Sequence, residues 1–283
     1  MPRTKPTPPA PLLQQQWRAL TTAVPQAVLG DGAAVHKARV ASRRLREILP
    51  VAVGRRVFES LNRRVRRLTQ ALGPVREVDV TLALLASSVT DGLVSRRASV
   101  PLKQSLVQRR AEARQRMNRA LARLDLTDLE AKTMAAARRR PRIAQARERL
   151  TARAAHLELA MVTAAGLYIP EQLHEVRIAV KKLRYAEEVL AAVSGRPAGA
   201  RLRTLKRAQD VLGRMHDLDV IAGAVRQLQG AEQPPSLGIC AELDGFVREL
   251  DAECRRLHGQ YMSLRERLLG ICAETGERAR KAA

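Results

Sequence analysis

The sequence predicts an all-α protein made of two related helical bundles. Three observations carry that prediction. Ala, Leu, Arg, Glu and Gln dominate long stretches with helical period, and the alternating β-branched runs and hairpin turns that signal strands are missing. Glycine and proline punctuation divides the chain into helices of roughly 12–24 residues with short connections, the pattern of antiparallel bundles. Two blocks of sequence also occur twice, in the same order.

The expected breaks fall at Gly30-Asp31-Gly32, Pro50 to Gly54, Gly73-Pro74, Asp91-Gly92, Pro101, Pro141, Gly166 to Pro170, Gly195 to Gly199, Gly213, Gly230 to Gly238 and Gly270. With 283 residues the chain can hold one large domain or two smaller ones. The duplicated blocks fix the division. VHKARVASRRLREIL at 35–49 matches LHEVRIAVKKLRYAEEVL at 173–190, with His36 on His174, an offset of 138. ALGPVREVDV at 71–80 matches VLGRMHDLDV at 211–220, with Gly73 on Gly213 and Asp79 on Asp219, an offset of 140. A repeat this long is not a solenoid. It predicts a Pro-rich flexible leader over 1–10, a first half over 11–140 and a second over 141–283, packed with approximate two-fold symmetry around a shared cleft.

Charge bounds the partners. The chain carries 51 Lys and Arg against 28 Asp and Glu, a formal net charge of +23. Residues 1–140 hold 28 basic and 10 acidic side chains, so the first half supplies most of the positive field. A charge so far from zero repels itself and calls for a polyanionic partner: nucleic acid, an anionic membrane or polyphosphate. The leader MPRTKPTPPAP has no apolar h-region, and no apolar run reaches the length of a transmembrane helix, so a cytoplasmic protein without membrane contact is expected. Cys240, Cys254 and Cys272 are odd in number and lack metal spacing. They read as small core residues in a reducing compartment.

The repeated blocks place the charge. At 100° per residue His36, Arg39, Arg43 and Arg46 fall within about 80° of arc, with Arg44 on the flank, in a stripe about 15 Å long. The opposite face carries Ala34, Ala38, Ala41, Leu45, Ile48 and Leu49. The second block repeats this with His174, Arg177, Lys181 and Arg184, flanked by Lys182 and Tyr185, over Val176, Ala179, Leu183 and Leu190. In the following helices Arg56, Arg63 and Arg67 oppose Val57, Leu61, Val65, Leu68 and Leu72, while Arg203, Lys206 and Arg207 oppose Leu202, Leu205, Gln209 and Leu212. A charged stripe is ordinarily a solvated face that mixes signs. Here only Glu47 interrupts the first stripe and only Glu59 the run from 55 to 67. Like charges at this spacing repel, and a bound polyanion would relieve the repulsion.

The kind of polyanion follows from what else is present. Aromatics make up 2% of the chain, too few to stack single-stranded bases, and zinc-finger, RNP and basic-zipper patterns are missing. What remains is recognition of phosphate as such, by Arg forks and Lys point charges.

His36-x-x-Arg39-Val40-x-x-Arg43-Arg44-Leu45-Arg46 resembles the first signature of the CHAD family, named for histidine in an α-helical domain. Leu72-Gly73-x-x-Arg76-Glu77-x-Asp79-Val80 resembles its companion motif, with Glu77 where Asp is common. The runs His174 to Tyr185 and Leu212-Gly213-x-x-His216-Asp217-x-Asp219-Val220 resemble the second-half copies. The resemblance covers roughly residues 10–275. It implies two four-helix bundles related by a pseudo-two-fold axis. It also implies a basic central cavity that binds inorganic polyphosphate, and association with polyphosphate granules. The expected binding set is the basic and flanking residues of both blocks and of both following helices, with Arg76 from the companion motif.

Other readings of these residues stay open. His36 and His174 contact phosphate or make an inter-helix hydrogen bond, and their neighbours do not ligate metal. Glu77, Asp79, Asp217 and Asp219 are expected just inside a helix that starts after Gly73 or Gly213, where acids complement the dipole. Alternatively they orient neighbouring Arg or Lys. Arg138, Arg139, Arg140 and Arg142 form a basic linker or an added contact, and His156, His258 and Trp17 read as structural. No G-x-x-x-x-G-K-[ST] loop, G-x-S-x-G elbow, H-E-x-x-H or E-x-E-x-K signature is present, so no enzyme, cofactor or metal is expected. The alternatives are a non-specific nucleic-acid binder, for which the net charge is the whole argument, a phosphohydrolase, and a granule scaffold.

Overall fold

The structure, a computed structural model, describes residues 8–137, 142–195 and 197–280. Within them the chain forms nine helices and no strand: α1 (Pro9–Leu29), α2 (Gly32–Ala52), α3 (Arg55–Thr90), α4 (Arg96–Ala122), α5 (Leu126–Ala135), α6 (Ile143–Thr163), α7 (Pro170–Ser194), α8 (Gly199–Gln229) and α9 (Leu237–Arg280). Residues 1–7 of the expected leader, Arg138 to Pro141 of the expected linker, and Arg196 lie outside the described residues. α1 already begins at Pro9, a first-turn position where the missing proline N–H breaks no bond.

Local chemistry sets several boundaries. Gly30 closes α1 in the left-handed region at φ 116°, and Asp31 caps α2 by accepting from the Ala33 N–H at 2.7 Å. Ser95 caps α4 through the Ala98 N–H at 3.1 Å, and Asp125 caps α5 through the Asp128 N–H at 2.8 Å.

Consecutive helices pack on one another from α1 to α4 and from α6 to α9, and α9 returns to α6. The two groups meet where α2 touches α6 and α7 and where α3 touches α8. This layout accords with a duplication, since α2–α3 and α7–α8 carry the matched blocks. Two apolar cores hold it. One gathers α1, α2, α5 and the facing ends of α3 and α4 around Trp17, Leu20, Leu45, Leu68 and Met117. The other joins α6 to α9 around Leu157, Leu183, Phe246, Tyr261 and Leu268. It also takes in Val78 to Leu85 of α3 and Ala98 to Leu106 of α4. α3 has 36 residues and is about 54 Å long, enough to serve both cores. The apolar face expected for α2 is buried throughout, as are Cys254 and Cys272; Cys240 is half-buried, and all three thiols are free.

Four expected breaks are not breaks. Gly73-Pro74 lies inside α3, Pro101 inside α4, Gly213 inside α8 and Gly270 inside α9. A proline inside a helix removes one backbone hydrogen bond and crowds the preceding turn, but burial of the flanking face outweighs that local cost. Around Pro74 the buried residues are Leu72, Val75 and Val78; around Pro101 they are Ala98 and Leu102. The helices therefore run longer than expected, up to 44 residues in α9. One boundary was not signalled, at Arg123 to Asp125 between α4 and α5. Val57 was expected on the apolar face of α3 but is 40% exposed in its first turn.

Candidate functional site

α2 and α7 each turn their cationic stripe toward the junction of the two halves. Arg39 and Arg43 of α2 stand close enough to Arg177 and Lys181 of α7 for their charges to repel. α3 adds Arg76 and Glu77, and α8 adds Arg214, His216 and Asp217. His36 lies beside Arg76, Arg39 and Arg43, and His174 beside Arg177 and Lys181. The stripes of the two repeats thus form one seam.

Two glycines lie opposite seam arginines, and at one of them the approach is tight. The Arg39 guanidinium lies across Gly73 of α3, 3.3 Å from where a Cβ would sit, and donates to the Thr69 carbonyl at 3.4 Å. Arg177 lies across Gly213 of α8, with Nε 4.0 Å from the equivalent point. These are the matched glycines of the repeat. Helix termination was expected at both; Gly73 instead admits the close approach of an arginine, and Gly213 leaves ordinary contact distance.

The seam is electrostatically strained. Burial, then the neighbouring Arg177, Arg43 and Arg39, push the Lys181 amine down to about 6. Burial and the charge of Arg43 lower Arg39 to about 10. Burial also lowers Arg43 and Arg177. His216 is pushed down to about 3 by burial, with Arg177 and His174 adding to it. His174 and His216 face each other Nδ1 to Nδ1 at 3.1 Å, with ring centroids 4.5 Å apart. One Nδ1 must donate and the other accept, so both rings cannot be imidazolium while the bond stands.

Among the described residues, Glu77 and Asp217 place carboxylates beside Arg39, Arg177 and Lys181. Burial raises Asp217 above its usual range, against the pull of Arg177 and Lys181. Both acids were expected in the first turn of a helix. With α3 and α8 unbroken they sit mid-helix, where they face the arginines. Asp79 and Asp219 have structural partners. Asp79 pairs with Arg110 of α4 at 2.6 Å, and its second oxygen lies 2.9 Å from the Cβ point of Gly32, at the start of α2. Asp219 accepts from the Tyr168 hydroxyl at 2.8 Å and fixes the segment that enters α7.

The remaining expected residues divide. Tyr185 is buried, faces Arg43, and carries the Arg184 guanidinium 4.4 Å above its ring. Arg184 also binds Glu188 and, at 2.9 Å, Gln209. Arg44 reaches Glu188 at 3.7 Å. Arg46 and Lys182 stand together at the edge of the seam. Arg56, Arg63, Arg67, Arg203, Lys206 and Arg207 stay exposed and outside it. Helical continuity explains this. Arg67 and Arg76 are nine residues apart on one helix, which at 100° per residue puts them on opposite sides. The same holds for Arg207 and His216 in α8. Arg67 instead lines a shallow groove with Arg123 between α3 and α4.

Four seam residues were not in the expected binding set: Arg214, His216, Glu77 and Asp217. The repeat could have supplied His216, because the offset of 140 puts it opposite Arg76. Among the other residues weighed, Trp17 is fully buried, His258 packs edge-on to Tyr168 at 5.7 Å, and His156 is exposed on α6. Arg142 is exposed where α6 starts. Among the described residues no group of His, Cys, Asp and Glu could hold a metal ion, and no helix is long and apolar enough to cross a membrane.

The family model of the CHAD domain matches residues 11–226. No curated protein matches. Two solved structures share the fold. PptA from Streptomyces chartreusis superposes with a TM-score of 0.71 at 18% identity, over 91% of this chain and 98% of that one. The CHAD domain from the plant Ricinus communis superposes with a TM-score of 0.66 at 21% identity, over 95% of this chain and 94% of that one.

Proposed function

The chain belongs to the CHAD family, and we propose that its seam binds inorganic polyphosphate as a polyanion and performs no chemistry on it. The observation that carries this reading is the convergence of Arg39 and Arg43 with Arg177 and Lys181. Three half-buried guanidiniums and the Lys181 amine face one another from two helices, and among the described residues Glu77 and Asp217 are the carboxylates beside them. Such an arrangement costs folding stability. A chain of phosphates laid along it restores charge balance at every step, and release of its counterions adds affinity.

Arg forks suit the charged non-bridging oxygens of phosphate, and the Thr69 carbonyl holds the Arg39 fork over Gly73 before the ligand arrives. Nothing in the seam resembles a nucleophile with its base, and its acids face arginines rather than one another. The reading extends to a cytoplasmic protein associated with polyphosphate granules.

Competition tests it. Long-chain polyphosphate should displace duplex DNA of equal phosphate content, and incubation with Mg²⁺ or Mn²⁺ should release no phosphate. DNA that competes equally would leave a merely basic surface, and sustained phosphate release would make the protein a phosphohydrolase.

A further inference from the structure

The two ends of the seam are not alike. Arg46 and Arg184 occupy matched positions of the repeat, 138 residues apart. Arg184 is neutralised: it pairs with Glu188, hydrogen-bonds to Gln209 and stacks on Tyr185. Beside it runs a shallow groove lined by Leu12, Gln15, Gln16, Glu188 and Val189, together with Arg44. Arg44 in turn contacts Glu188 at 3.7 Å, so at that end two arginines share one carboxylate, a smaller positive excess than at the other.

Arg46 continues the α2 stripe into the opposite environment. Among the described residues its side chain makes one hydrogen bond, a long one to Asn62 at 3.5 Å. Arg66 of α3 and Arg149 and Arg153 of α6 surround it, and Lys182 of α7 stands beside Arg153 and Arg46. Glu47 organises this cluster. It is 6% exposed and accepts from Arg149 at 2.7 Å and from Arg153 at 2.9 Å, which pins α6 to α2. Arg149 also reaches the Arg46 carbonyl at 3.4 Å. Glu47 and, beside Lys182, Glu175 are the carboxylates here, so the cluster keeps a clear positive excess.

We propose that a polyphosphate chain leaves the seam in one direction, past Arg46, onto a second phosphate subsite formed by Arg66, Arg149, Arg153 and Lys182. The inference rests on the polyphosphate reading of the seam and adds a direction to it. A short oligophosphate fills the seam alone, whereas a long chain engages both regions.

Arg66 is the residue to change, because it is exposed and makes no ion pair among the described residues. The probes are inorganic triphosphate and long-chain polyphosphate, titrated calorimetrically into wild type, Arg66→Ala, Arg66→Glu and Gln15→Glu. Gln15 marks the other end. Arg66→Glu should weaken long-chain binding about tenfold and lower the slope of log affinity against log salt by about 1, with triphosphate affinity held within about twofold. Arg66→Ala should fall between, and Gln15→Glu should change neither probe. Long-chain binding indifferent to Arg66, or weakened as much by Gln15→Glu, would overturn the directional subsite while triphosphate binding still upheld the seam. A wild type that binds neither probe would overturn both.

Discussion

The guanidinium of Arg39 lies across Gly73 of the next helix, and Arg177 lies across Gly213 in the matched place of the second half. A β-carbon at Gly73 would meet Arg39 Nη1 at 3.3 Å, whereas one at Gly213 would stay 4.0 Å from Arg177. Both glycines sit inside long helices, where alanine is favoured by about 1 kcal/mol. Gly213→Ala should therefore raise the melting temperature and leave polyphosphate affinity unchanged. Gly73→Ala should gain less stability and weaken polyphosphate binding, because Arg39 must shift. Thermal melts with calorimetric titration of both variants check the pair.

Binding should take up protons. Lys181 titrates at about 6 in the free protein, so it is mostly neutral at pH 7. Phosphate beside it favours the charged form and raises that value. Affinity should increase as pH falls from 8 to 6. Calorimetry in buffers of different ionisation enthalpy should report net proton uptake at pH 7. Lys181→Arg, which stays charged, should reduce that uptake.

The same residue links folding to pH. Lys181 falls from an ordinary 10.5 to about 6 on folding, so between those values the unfolded chain holds the extra proton. Wild-type stability should rise with pH across that window. Lys181→Met removes the burden and should stabilise the free protein at pH 7 by about 1–3 kcal/mol, while weakening polyphosphate binding. Denaturant titrations of both proteins at pH 6, 7 and 9 give the comparison.

Asp79 is an anchor by contrast. Its side chain is 8% exposed, and Arg110, a third exposed, is its ion-pair partner at 2.6 Å. Arg110→Met should destabilise the protein by about 1–3 kcal/mol, less than a fully buried pair would cost because water reaches the guanidinium. The affinity of the folded protein for polyphosphate should stay near wild type. Urea denaturation and titration separate the two effects.

Much of this was legible before the structure, and the exceptions share a cause. The stripes of α2 and α7 could be read because a single helix decides which side chains share a face, and both meet at the seam. Arg76 of α3 reaches the seam as expected, but Arg56, Arg63, Arg67, Arg203, Lys206 and Arg207 lie outside it, because Gly73-Pro74 and Gly213 look like helix ends and are not. Continuity through them turns Arg67 away from Arg76, and it moves Glu77 and Asp217 from a first turn to the seam. Sequence periodicity has no term for an arginine that needs a glycine opposite it. Arg149 and Arg153 were invisible for another reason. Their role depends on the buried Glu47 of a distant helix, which pattern alone read as an interruption of the α2 stripe.

The central claim meets its most direct test in one titration: long-chain polyphosphate into wild type and into Arg39→Ala/Arg43→Ala/Arg177→Ala/Lys181→Ala, with duplex DNA as competitor. Tight, salt-sensitive binding that withstands DNA and collapses in the fourfold variant is the predicted result. Binding that survives loss of those four side chains, or that DNA abolishes at equal phosphate content, would contradict a dedicated polyphosphate seam.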